Sequence, residues 1–84
     1  MLTTNSMVRV VKGNVARDIT KHSLWAVNSI TNLGADYSHS VKVVLRRGNR
    51  VVSFYARHQN RLADTVVNLN DGNPLHKIQV RLAE

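Results

Sequence analysis

The chain has no cysteine among its 84 residues. Without thiols it can build neither a disulfide framework nor a thiolate metal site, and an intracellular setting is the simpler expectation. Acids are scarce as well, five against twelve Lys and Arg, for a formal charge of +7. A field of that sign attracts nucleic acid, anionic lipid or an acidic protein. No apolar run approaches the roughly 20 residues of a membrane helix. The opening Met1-Leu2-Thr3-Thr4-Asn5-Ser6 lacks the apolar core of a signal peptide, so no membrane association is expected. Also missing are a Gly-rich phosphate loop, a nucleophile elbow and any convincing pairing among Asp18, Asp36, Asp64, Asp71 and Glu84. His22, His39, His58 and His76 form no recognised ligand spacing, which implies no metal and no cofactor; His58 beside Tyr55 and Arg57 is the only local grouping. The expectation is a protein without catalysis.

What is present centres on the stretch from Ser40 to His58. Val41-Lys42-Val43-Val44-Leu45-Arg46-Arg47 and Arg50-Val51-Val52-Ser53-Phe54-Tyr55-Ala56 flank Gly48-Asn49, a two-residue β-hairpin signal. A loop of that length sets Arg47 opposite Arg50 and fixes every pair outward from there. One face carries Val41, Val43, Leu45, Val52, Phe54 and Ala56 and must be buried. The other mixes Lys42, Val44, Arg46, Val51, Ser53 and Tyr55, with Arg57 at its end, and suits an anionic partner. No acid falls between Asp36 and Asp64, whereas six of the twelve cations do.

Around the hairpin, residues 1–6 read as a flexible tail, and Met7 to Lys12 as a half-buried strand with Val8 and Val10 on one side. Lys21 to Leu33 contain neither Gly nor Pro. Ser23, Ala26, Val27, Ile30 and Leu33 recur there at helical spacing, Asp18 or Thr20 can cap the start and Gly34 the end, so a helix is predicted. Leu24 lies at the margin of that stripe. Trp25 falls outside it, either as a ring lying flat over the core edge or as an anchor for a protein partner. The polar segment 35–39 is expected to be a loop. Leu62, Ala63, Val66, Val67 and Leu69 also recur at helical spacing. Their β-branched content argues for a strand, yet Asn60 as a cap and Asn70-Asp71-Gly72 as a stop favour a short second helix. Asn73-Pro74 turns the chain into a last strand, in which Ile78, Val80 and Leu82 alternate with Lys77, Gln79 and Arg81.

The predicted order is βαββαβ, the split βαβ or ferredoxin-like α+β arrangement, with two helices on one face of a four-stranded antiparallel sheet. The open face would gather Arg9, Val11, Lys42, Val44, Arg46, Val51, Ser53, Tyr55, Lys77, Gln79 and Arg81. Here the chain resembles an RNA-recognition motif (RRM) domain, over about Val8 to Ala83 within a single domain at 7–84. Arg47-Gly48-Asn49-Arg50-Val51-Val52-Ser53-Phe54 is laid out like that family's RNP octapeptide. Leu62-Ala63, Leu69-Asn70-Asp71-Gly72 and Ile78-Gln79-Val80-Arg81-Leu82-Ala83 are similar to its second helix, loop and last strand. The RNP motifs are degenerate: Asn49, Val51 and Val11 stand where stacking aromatics are usual.

The resemblance implies RNA binding, RNA ahead of DNA, through Arg9, Lys42, Arg46, Tyr55, Arg57, Lys77 and Arg81, with Arg47 and Arg50 as a basic finger at the hairpin tip. A rival class is a protein-interaction module that seizes an acidic protein, with Trp25 and Leu24 as anchors. A minor third is a small ribonuclease of toxin type. An exposed edge strand at Val41–Leu45 would offer a site for pairing two copies into a homodimer.

Overall fold

The hairpin forms with the register that its two-residue loop dictates. In the computed structural model, which describes residues 1–34, 40–73 and 75–83, Val41 lies opposite Ala56, Val43 opposite Phe54, Leu45 opposite Val52 and Arg47 opposite Arg50. Gly48 takes the first loop position at φ 60°, a conformation open to glycine, while Asn49 keeps a negative φ, as a type II′ turn requires. The loop expected over 35–39 and the proline of the expected turn at 74 lie outside the described residues.

The rest of the chain does not build the expected α+β sheet. Six strands, β1 (Met7–Gly13), β2 (Leu24–Asn32), β3 (Val41–Arg47), β4 (Arg50–Ala56), β5 (Val67–Asn70) and β6 (Lys77–Leu82), pair antiparallel in chain order, and β6 returns to β1. The result is a closed barrel, not a ferredoxin-like RRM fold. Among the described residues the helical structure is one 3-10 turn, Gln59–Ala63. β3 is hydrogen-bonded on both sides, so the edge expected at Val41–Leu45 does not exist.

Two local features explain the misread helices. In β2 the inward residues are Trp25, Val27 and Ile30, because the register shifts between Val27 and Ser29 and inserts one residue. A bulge stretches the two-residue period to three at that point, which imitates helical spacing. Asn28, Ser29, Thr31 and Asn32 are also poor helix formers. In the second segment, Leu62 belongs to the 3-10 turn, and Val67 and Leu69 alternate with exposed Asn68 in β5. The apparent helical stripe therefore spans two elements.

Trp25 is the largest buried side chain, at 1% exposure, and lies inside the barrel with Phe54, Leu45, Leu69, Ile78 and the strand valines. Its indole N–H donates to the Ser23 hydroxyl at 3.0 Å, and that hydroxyl donates to the Thr20 carbonyl at 2.6 Å. This relay satisfies the polar atom that burying a Trp brings inside. Trp25 is thus a core residue rather than a partner anchor, and its neighbour Leu24 remains outside at 38% exposure.

Apolar plugs close both ends of the barrel. Ile19, from the β1–β2 connection, is buried at one end. At the other, Leu2 packs into the core beside Leu62, and its N–H donates to the Leu62 carbonyl at 2.9 Å. Residues 1–6, expected as a flexible tail, instead extend the β1–β2 pairing: Asn5 N–H donates to the Val27 carbonyl and Val27 N–H to the Ser6 carbonyl, both at 2.8 Å. No helix among the described residues is long and apolar enough to cross a membrane.

Candidate nucleic-acid interface

Closing the sheet leaves no open face. Its outward residues instead become the wall of a cylinder. The six strands contain eight of the twelve cations, Arg9, Lys12, Lys42, Arg46, Arg47, Arg50, Lys77 and Arg81, and not one of the five acids. The described acids, Asp18, Asp64 and Asp71, all stand in connections between strands. Among the described lysines and arginines only Arg50 and Arg61 have an ion-pair partner.

Register places these cations relative to one another. Lys42 lies opposite Tyr55, Tyr55 opposite Asn70, and Asn70 opposite Lys77, so one row crosses β3 to β6. With strands roughly 4.8 Å apart it spans on the order of 14 Å. The Tyr55 ring leans toward the β5–β6 connection, since a Cβ built on Gly72 would fall 3.9 Å from its Cε2. A second row joins Asn68, Gln79 and Lys12, with the Gln79 amide N–H donating to Asn68 Oδ1 at 2.9 Å. Arg9 and Arg81 lie directly opposite each other at the far end of the β1–β6 pair.

Like charges placed opposite one another on neighbouring strands repel. The Arg9 guanidinium gains some compensation by donating to the His22 carbonyl at 2.8 Å, while Arg81 has no described partner. A β1 bulge brings Lys12 to this surface. Strict alternation after Val10 would turn Lys12 inward, but the register shifts between Val10 and Lys12 and aims it out beside Gln79.

The structure therefore brings together five of the expected binding residues, Arg9, Lys42, Tyr55, Lys77 and Arg81, on a continuous surface running from β3 through β6 to β1. Four others lie apart. Arg46 shares the outward face of β3 with Lys42 but sits four residues further along, between Ala26 and Val51 toward the hairpin tip. Arg47 and Arg50 are at the hairpin tip, where Arg50 Nε holds Asp18 at 2.7 Å and ties the tip to the β1–β2 connection. That hydrogen bond, followed by the charges of Arg50 and Arg47, holds the Asp18 carboxyl below its ordinary value. Arg57 follows β4, exposed, with its carbonyl accepting from the Ser40 hydroxyl.

Lys12, Asn68 and Asn70 belong to the surface and were not expected there. The β-branched run Val66-Val67 would have revealed the two asparagines, since reading β5 as a strand sends both outward. At the barrel end that carries the hairpin tip, His76 Nδ1 meets Asp71 Oδ2 at 3.0 Å. Desolvation works to raise the Asp71 carboxyl, but the Asn73 N–H and His76 outweigh it and hold the carboxyl below its ordinary value. No group of three metal-ligating side chains converges among the described residues. Comparison of the chain with protein-family models, curated proteins and solved structures returned no match.

Proposed function

We propose that the barrel wall from β3 through β6 to β1 binds single-stranded nucleic acid, chiefly through its phosphates. The observation that carries this reading is the complete exclusion of acids from strands that hold eight cations. Lys42, Lys77, Lys12, Arg81 and Arg9 supply the charge. Asn70, Asn68 and Gln79 supply neutral hydrogen-bonding groups between them, and Tyr55 offers one ring. Backbone-led contact of this kind combines a cationic track with sparse stacking and tolerates sequence. A convex wall favours a flexible single strand, which can follow it, over a stiff duplex, which would touch it only along a tangent.

The test is fluorescence anisotropy with a labelled single strand of about twelve nucleotides, matching the site size of small binding barrels. Engaging about four phosphates gives a log–log salt slope near −3, or roughly a 50-fold loss of affinity from 50 to 200 mM salt. Replacing Lys42, Lys77 and Arg81 by alanine lowers the magnitude of that slope by about 2. Absence of binding at low salt, or a triple variant that binds like the wild type, overturns the reading. The rival protein-docking reading loses its main anchor, because Trp25 is inside the core.

A further inference from the structure

The cationic wall holds more than one concavity, one of them beside Arg9 and Arg81. Another, a half-open cavity of about 290 Å³, lies across β1, β5 and β6, lined by Lys12, Gly13, Asn14, Asn68, Lys77 and Gln79 over Ile78. Its size is at the lower end of the roughly 300–1,000 Å³ typical of small-molecule sites, which suits a ligand of nucleotide size.

The walls are fixed. Asn14 acts as a brace: one amide N–H donates to the Leu75 carbonyl at 3.2 Å, and its Oδ1 accepts from the Lys77 N–H at 3.0 Å. Gly13 contributes backbone alone. Its lack of a side chain is enforced from the barrel interior, since a Cβ there would come within 2.8 Å of Ile78 Cγ2.

The free chemistry of the cavity is specific. Gln79 donates to Asn68 Oδ1, which leaves Gln79 Oε1 as an acceptor and the Asn68 amide as a donor, with no other described partner for either. An acceptor beside a donor complements the edge of a nucleobase, as Asn and Gln do when they read base edges. Lys12 and Lys77 flank this pair and carry no ion pair among the described residues.

Resting on the single-strand reading above, we infer that this cavity takes one unstacked nucleobase between Asn68 and Gln79, with the attached phosphate held by Lys12 and Lys77. The wall then supplies general affinity, and the cavity discriminates between a base and no base.

The experiment compares two single strands of equal length and phosphate number, one with bases and one abasic throughout, on wild type and on an Asn68→Ala/Gln79→Ala variant. Side-chain amide NMR of the wild type with adenosine monophosphate, and separately with ribose 5-phosphate, gives a readout that needs no variant. Wild type is expected to prefer the base-bearing strand by about tenfold, within the range of one base-edge pair plus partial stacking. The double variant binds the two strands equally, and adenosine monophosphate shifts the Asn68 and Gln79 amide signals where ribose 5-phosphate does not. Equal wild-type binding of the two strands overturns the cavity inference and leaves the wall reading intact. Shifts with the mononucleotide but no binding of either strand overturn the wall reading and uphold the cavity. A preference that survives in the double variant overturns the assignment to Asn68 and Gln79.

Discussion

β2 and β6 are the two neighbours of β1, and their inner faces do the same work. Trp25, Val27 and Ile30 from one, and Ile78 and Val80 from the other, fill the barrel. Their outer faces differ. β6 presents Lys77, Gln79 and Arg81, whereas β2 presents Leu24, Ala26, Ser29 and Thr31 and carries no charge anywhere along its length. Four of the eight strand cations lie on β1 and β6 and four on β3 and β4, with none on β2 or β5; the proposed surface takes the first four together with Lys42 and leaves β2 out. Core identity and surface identity are thus separable, strand by strand.

That separation predicts substitutions whose effects fall on one property and spare the other. The largest effect is expected inside β2. Trp25→Ala should cost about 3–5 kcal/mol of stability, and at 4–8 °C per kcal/mol for a domain of this size the melting temperature falls by roughly 12 °C or more. Ser23→Ala, which leaves the buried indole N–H without its acceptor, should cost about 1–3 kcal/mol. Thermal denaturation reads both. If Trp25→Ala melts like the wild type, the tryptophan is not in the core.

Second comes the outer face of β6 against that of β2. Charge reversal of Lys77 and Arg81 to Glu should abolish single-strand binding at physiological salt with an unchanged melting temperature. Asn28→Ala with Ser29→Ala, which lie opposite no cation, should leave affinity within about twofold, since surface substitutions away from special features are nearly neutral. Equal losses from both pairs, measured by anisotropy, would erase the distinction between the two walls.

Third, Gly13→Ala tests the junction of β1 and β6. Its Cβ would meet Ile78 Cγ2 at 2.8 Å, so the Ile78 side chain or the strand that carries it must shift, at a cost of about 1–3 kcal/mol typical of overpacking. Denaturant titration measures it, and a neutral result would show that Ile78 gives way without resistance.

The smallest effect is the response to acid. Asp18 and Asp71 are held below the ordinary value of 3.8 in the folded chain. Unfolding raises their proton affinity, so their contribution is fully present above pH 3.8 and is lost as pH falls through the lower folded values. Both are solvent-exposed pairs, and the slope is correspondingly shallow. Asp18→Asn with Asp71→Asn should flatten the dependence of melting temperature on pH in that acidic window and leave it unchanged near neutrality.

The sequence made some of this legible. The β3–β4 hairpin was readable to the residue pair, because a two-residue loop leaves no freedom in register. β1 and β6 were readable from alternation. β2 was not, because its bulge between Val27 and Ser29 replaced a period of two by a step of three. β5 was hidden because Leu62 of the 3-10 turn aligned with Val66 as though both shared a helix. Closure was invisible for another reason: pairing Val10 with Val80 joins residues far apart in sequence, and neither strand carries a mark of its partner. For the surface, Lys42, Tyr55, Lys77, Arg81 and Arg9 were found by the rule that strand residues alternate sides. Lys12 escaped that rule through the β1 bulge, and Asn68 and Asn70 through the misread strand.

The most direct measurement is a backbone amide NMR titration with a short single-stranded oligonucleotide at low salt. The account predicts that shifts concentrate on β5, β6, the Lys12 region of β1 and the neighbourhood of Lys42 and Tyr55, while the amides of β2 from Ala26 to Asn28, which pair with neither Lys42 nor Arg9, stay silent. Shifts centred on β2, or none at saturating oligonucleotide, would contradict it.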